Sequence, residues 1–305
     1  MKKALLIILV FTYFWSSLGA QGSSTLDLSE LITEQRQIIA ALTGEQQIEK
    51  NLYLRARGTP SERRIARDYL KELIEKIPLK PVEHAYRLPN TYPIADLLIG
   101  PYRGMNIYGI LPATDGSDEY VILGAHYDTE AKCPGANDNA SAMALVYSVA
   151  KRLKKLEHRN KNLLFIFFDQ EEEDLVGSKA FARLVQKEGY DIHSVHTIDQ
   201  MGWDEDGDRA IELELPTKEL EILYSRIGKE LGIKAHITKV NSTDHQSFRA
   251  LGYKAVGLTE EYVNKDTSPF KDTIDDTYET VNFEYLASST NLVFKVFKEI
   301  LSNDF

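Results

Sequence analysis

The chain has 305 residues, 43% of them hydrophobic, and a formal net charge of −10 at pH 7. That apolar share builds a sizeable core and argues against intrinsic disorder, and an acidic chain without a basic stretch is a poor partner for nucleic acid. The one cysteine, Cys133, excludes an internal disulfide, which leaves packing and bound metal as sources of stability.

The first twenty residues have the layout of a secretory signal peptide. Lys2 and Lys3 precede an apolar run from Ala4 to Trp15, and small residues follow at Ser16, Ser17, Gly19 and Ala20. The run is shorter than the ~20 apolar residues that span a bilayer, so the expectation is a cleaved leader and no stable membrane anchor. Cleavage is expected after Gly19 or Ala20, and no cysteine follows to carry a lipid. This implies an exported chain, periplasmic or secreted, with residues 21–305 as one domain. Oligomeric state has no signature in the sequence.

Apolar residues recur at helical spacing from Leu28 to Leu42 and from Glu62 to Ile77. Thr59-Pro60-Ser61-Glu62 opens the second helix with a cap residue, an early proline and an early acid. Pro89, Pro93 and Pro101 suggest an irregular stretch from Pro89 to Arg103. Asn106 to Leu111 and Tyr120 to Ala125 are short strands around a turn-rich Asp115-Gly116-Ser117-Asp118, which predicts an antiparallel hairpin. Ala140 to Leu156 follows as a helix. Leu163 to Phe168 is apolar at every position, as expected of a central strand covered on both faces. Further on come a helix at Ser178–Lys187, a strand at Val195–Ile198, an alternating strand at Ala210–Leu215, a helix at Thr217–Leu231 and a strand at Ala255–Leu258. Phe283 to Ile300 closes the chain as an amphipathic helix. The alternation predicts an α/β fold of three layers: a mixed, mostly parallel central sheet with helices on both faces. Ligands collect at the carboxyl ends of strands in such sheets.

Polar clusters fall at those ends. His126-Tyr127-Asp128 follows one strand, Asp169 to Glu173 follows the all-apolar strand, and Asp199 follows Ile198; Gly135 to Asn139 opens the helix after the first of these. So many carboxylates in one place repel one another, and a divalent cation resolves the conflict. Imidazole plus carboxylate without thiolate suits zinc or a harder relative. His126 and Asp128 share a face of an extended backbone, so Asp128 could hold the second imidazole nitrogen. In the adjacent pair Glu171 and Glu172, one carboxylate can bind metal while its neighbour takes a proton from the attacking water.

The chain resembles metallopeptidase family 28, the two-zinc exopeptidases of the aminopeptidase Y and aminopeptidase S type. The family's His-x-Asp matches His126 to Asp128, and its Gly-Ala-x-Asp-Asn-Ala-Ser matches Gly135 to Ser141. Its Glu-Glu-x-Gly-Leu-x-Gly-Ser matches Glu171 to Ser178, with Asp174 in place of the glycine. A metal-binding aspartate matches Asp199, and Ser-Asp-His-x-x-Phe-x-x-x-Gly matches Thr243 to Gly252. The resemblance implies a zinc exopeptidase fold acting on a peptide substrate with two zinc ions, one being possible. Asp138 would bridge them, His126 and Asp199 would complete one site, and Glu172 would bind the other ion. Glu171 would be the general base toward a metal-activated water, and Asp128 would orient His126.

One departure stands out. Where the family has a ligand histidine in His-Thr-x-x-Asp-Thr, this chain reads Asp272-Thr273-Ile274-Asp275-Asp276-Thr277. Asp272 would then be the last ligand, in a harder and more anionic site. The resemblance also opens two other readings. One is a glutaminyl cyclase-like acyltransferase, disfavoured because the late histidine is missing. The other is a relative that binds metal or peptide without turnover, disfavoured because Glu171 is retained.

Overall fold

The computed structural model describes residues 27–90 and 92–302; the proposed leader lies outside the described residues. Helix α1, Leu28–Thr43, starts on Asp27, whose side chain accepts from the Ser29 and Glu30 N–H groups. Helix α2, Pro60–Lys76, carries the full capping box, with Thr59 accepting from Glu62 N–H and Glu62 accepting from Thr59 N–H. Strand β1, Val82–Leu88, leads into helix α3, Pro93–Ile99, and strand β2, Tyr102–Leu111. The segment expected to be irregular therefore holds a short helix: Pro93 fixes the backbone of its first turn, where a missing N–H costs nothing.

Strand β3, Glu119–His126, is followed by a tight turn at Ala136–Ser141 and helix α4, Ala142–Leu153. Strand β4, Asn162–Phe168, helix α5, Val176–Glu188, and strand β5, Asp191–Ile198, come next. Strand β6, Ile211–Glu214, is buried at all four positions, so the alternation expected there is not seen. Helix α6, Lys218–Leu231, strand β7, Ala235–Thr238, helix α7, His245–Arg249, strand β8, Ala255–Thr259, and helix α8, Phe283–Ser302, complete the described chain.

The sheet runs in the order β1-β2-β4-β3-β5-β8-β6-β7. Strands β4, β3, β5 and β8 are parallel, and antiparallel pairs flank them at β1–β2, β2–β4 and β6–β8. The expected hairpin is not formed, because β4 lies between β2 and β3. Every residue of β4 is buried, so it needs a neighbour on each edge and cover on each face. Residues 112–118 need only cross two strand spacings, roughly 10 Å.

Two cores follow from the pleat. Val121, Leu123, Phe165 and Phe167 face one way, onto α1, α2, α4, α6 and α8. Ile122, Leu164, Ile166 and Phe168 face the other way, onto α5 and Phe248 of α7. Each such side chain contributes roughly 1.5–3 kcal/mol on burial. Both sides of the sheet are thus filled, and polar side chains gather at its carboxyl edge.

Candidate metal centre

His126 is the last residue of β3, and Asp199 directly follows β5. Asp138 lies in the turn that opens α4, and Glu171 and Glu172 lie in the loop after β4. The parallel alignment of β4, β3 and β5 delivers these residues to one rim. His126 Nε2 is 3.2 Å from Asp138 Oδ1 and 3.4 Å from Asp199 Oδ1. All three atoms are buried, and none makes a hydrogen bond. Leaving three such atoms unsatisfied is costly, and a cation between them satisfies all three at once. The donor set, one imidazole with carboxylates, fits zinc.

Two more groups adjoin this one. Ligand atoms of His126, Glu171 and Glu172 lie within 4.8 Å of one another, as do those of Asp138, Glu172 and Asp272. Asp138 therefore belongs to two groups, and the second one includes the aspartate found where the ligand histidine was expected. Asp272 sits on an exposed loop, with φ of 61°.

Asp128 behaves differently from the simplest expectation. The closer contact to His126 Nδ1 is the Asp128 backbone carbonyl at 3.2 Å; its carboxylate is 3.5 Å away. A carbonyl can only accept, so Nδ1 donates to it, and Nε2 is the nitrogen turned toward Asp138 and Asp199. The Asp128 carboxylate instead accepts from the Glu171 N–H at 3.0 Å and the Glu172 N–H at 3.2 Å. It holds the glutamate loop in place. That loop is anchored further by the buried Arg63–Asp169 ion pair at 2.9 Å.

Residues to which the motif reading gave no role also build the rim. Asp276 accepts from the N–H groups of Asn137 and Asp138, both at 2.9 Å, and so fixes the turn that carries Asp138. Gly135 precedes that turn with φ of 63°, and a Cβ there would meet Asp138 O at 2.4 Å, so glycine is required. Arg57 is fully buried and donates to the carbonyls of Tyr127, Leu42, Pro134 and Gly135 at 2.7–2.8 Å, tying α1 to both ends of the loop between His126 and Asp138. Glu260 accepts from Asn137 Nδ2, Trp203 N–H and Ser268 N–H. Lys271 brings a cation, with Nζ 3.8 Å from Asp138 Oδ2. These contacts join residues far apart in sequence, so only the Asp-Thr at Asp276 and Thr277, inside the matched late motif, could have pointed to one of them.

The fields match the geometry. Burial pushes the Glu171 carboxyl well above the usual range, with Asp199, Asp244 and Glu172 adding to it. Burial raises Glu172 to about 9, with Asp138 the next contribution. Burial opposes the charge of His126, but Asp128, Asp138 and Asp199 outweigh it and raise the imidazole well above its ordinary value. Burial raises Asp199, and contact with His126 more than offsets it, so its net shift is downward. The protein's own groups leave this rim short of positive charge.

Other cysteine, histidine, tyrosine and acidic side chains take no part in this rim's ligand groups. Cys133 is buried, its thiol pushed up to about 12 by burial, which makes it inert at neutral pH. His245 begins α7 and is held by Thr243 Oγ1 at 3.0 Å. His84, His158 and His196 make neutral contacts to Asn106, Thr114 and Tyr224. Tyr262 is 51% exposed, on the same loop as Lys271. Asp204, Asp206 and Asp266 form another acidic group, but Asp266 accepts from the Glu205 and Asp206 N–H groups and so ties two loops together.

One imidazole and five carboxylates at the carboxyl edge of a mixed sheet define an α/β chain with a candidate divalent-cation centre. A family model described as Peptidase family M28 matches residues 106–297, and the chain belongs to that family. It is 29% identical over 199 residues to Aminopeptidase YwaD of Bacillus subtilis, covering 62% of this chain and 43% of YwaD. The chain thus spans less than half of that relative's length. Among solved structures, BSAP, a zinc aminopeptidase from Bacillus subtilis, superposes with a TM-score of 0.76 at 15% identity, covering 90% of this chain and 96% of that one. A glutaminyl cyclase from Bacteroides thetaiotaomicron, bound to N-acetylhistamine, gives 0.69 at 17% identity over 87% and 96%. Both share the fold.

Proposed function

We propose that this chain is an exported, zinc-dependent exopeptidase that hydrolyses N-terminal peptide bonds. The observation that carries the proposal is the meeting of His126 Nε2, Asp138 Oδ1 and Asp199 Oδ1, three buried ligand atoms without hydrogen bonds. The names of YwaD, an aminopeptidase, and of BSAP, a zinc aminopeptidase, support the choice of metal and reaction. The order of basic, apolar and small residues over positions 1–20 supports export, and no helix among the described residues is long and apolar enough to cross a membrane.

In this reading His126, Asp138 and Asp199 hold one ion, and Asp138, Glu172 and Asp272 hold a second. Zinc, when bound, supplies a Lewis acid that activates water and polarises the scissile carbonyl. Glu171 takes the proton from the attacking water and returns it to the leaving amine. Asp128 keeps that carboxylate in position through the backbone N–H groups of Glu171 and Glu172. Asp272 is the assignment that departs most from the family pattern. Asp272→Ala is expected to lose one of two bound ions in an elemental analysis of the purified protein, and unchanged occupancy would remove Asp272 from the ligand set.

The activity test uses zinc-loaded protein with aminoacyl, dipeptide and glutaminyl-peptide substrates. Chelator-sensitive release of an N-terminal residue is the expected result. Ammonia release with ring closure would replace the proposal by an acyltransferase, and bound metal without turnover would replace it by a binding protein.

A further inference from the structure

The two oxygens of Asp138 have different surroundings. Oδ1 faces His126 Nε2 at 3.2 Å, within the first ligand group. Oδ2 lies 3.8 Å from the Lys271 ammonium. Asp138 also belongs to the group with Glu172 and Asp272, and Oδ2 is its oxygen not facing His126. Lys271 directly precedes Asp272 in the chain, so the lysine and the proposed ligand approach Asp138 from the same loop. Asp138 and Asp272 are both proposed metal ligands.

We propose that Lys271 is a built-in competitor for the second cation. Its ammonium neutralises the same carboxylates that would hold that ion, and it must withdraw when the ion binds. Two like charges on one carboxylate repel strongly at this depth. Withdrawal is open to it: the side chain is 37% exposed, and the Tyr262 ring, 6.0 Å from Nζ, offers a cation a resting surface further out. The loop is balanced accordingly. Aspartate in the place of a neutral imidazole adds a negative charge to the second group, and Lys271 beside it adds a positive one. The second ion is thereby held more weakly than the first and exchanges more readily. This inference rests on the two-ion reading of the centre.

The test is a zinc titration of the full mature chain against a chelating indicator, which reads stoichiometry and dissociation constants without turnover. Lys271→Met is expected to tighten the weaker constant by about tenfold or more, a change of roughly 1.4 kcal/mol per decade, and to leave the tighter one within about twofold. Lys271→Arg is expected to keep the weak constant. If the wild type holds one ion at the concentrations reached, Lys271→Met should hold two. An unchanged or weakened second constant, or both constants moving together, overturns the inference while two-ion binding stands. A chain that binds no zinc overturns the functional reading and this inference with it.

Discussion

Glu171 and Glu172 are adjacent in sequence, and the proposed function gives their carboxylates different tasks. Glu172 joins Asp138 and Asp272 in a ligand group, whereas Glu171 is grouped only with His126 and Glu172. Glu171→Gln keeps the shape and the backbone N–H that Asp128 holds, and removes only the proton acceptor. The expected outcome is a fall in kcat of about 10²–10⁴-fold with metal content unchanged by elemental analysis. Loss of zinc in that variant would make Glu171 a ligand instead of the base. This pair was legible in the sequence because a run of acids directly after an all-apolar strand has to emerge at the sheet's edge. Lys271 and Arg57 were not legible, since each reaches the rim from a distant segment and carries no local pattern. Asp174 is a smaller case. It stands where the family has glycine and keeps a left-handed φ of 72°, a conformation aspartate tolerates better than most residues.

At the scale of elements, β5 joins the site to the core through His196. This imidazole is fully buried, between Ser194 Oγ at 2.9 Å and the Tyr224 hydroxyl at 2.9 Å, with the Phe297 ring edge-on at 4.7 Å. Burial, with His193 adding to it, depresses its pKa to about 3. The sign follows directly. The unfolded chain takes up a proton near pH 6.5 and the folded chain does not, so falling pH favours unfolding. His196 alone is expected to remove about 2 kcal/mol of stability between pH 6.5 and pH 5. Denaturant midpoints of wild type and His196→Gln across that range check this: the wild type should show the steeper loss, and parallel curves would mean the imidazole is protonated in the fold. Helices and parallel strands were readable from periodicity and caps. The hairpin was misread because two apolar runs around a turn look the same whether or not a later strand slips between them, and only the double burial of β4 decides it.

At the scale of the whole molecule, six acidic side chains from distant segments meet at one rim of the sheet. Asp128, Asp138, Asp199, Glu171, Glu172 and Asp272 are spread over more than 140 residues of sequence, and the strand order brings them together. That order was not legible, because the class of fold follows from alternation, whereas which strand lies beside which depends on all the cores being filled at once. The clustering has a thermodynamic consequence. An unfolded chain scatters these carboxylates and binds a dication poorly, whereas the folded rim binds it well, so metal binding is coupled to folding. At free zinc about a hundredfold above the dissociation constant the linkage amounts to about 2.7 kcal/mol. For a chain of this size that corresponds to a Tm higher by roughly 4–5 °C. A chelator is therefore expected to lower Tm by that amount, and excess zinc to restore it, with Asp199→Asn showing a much smaller response. A Tm indifferent to chelator in the wild type would mean that the buried atoms of His126, Asp138 and Asp199 are satisfied by some other means than a cation.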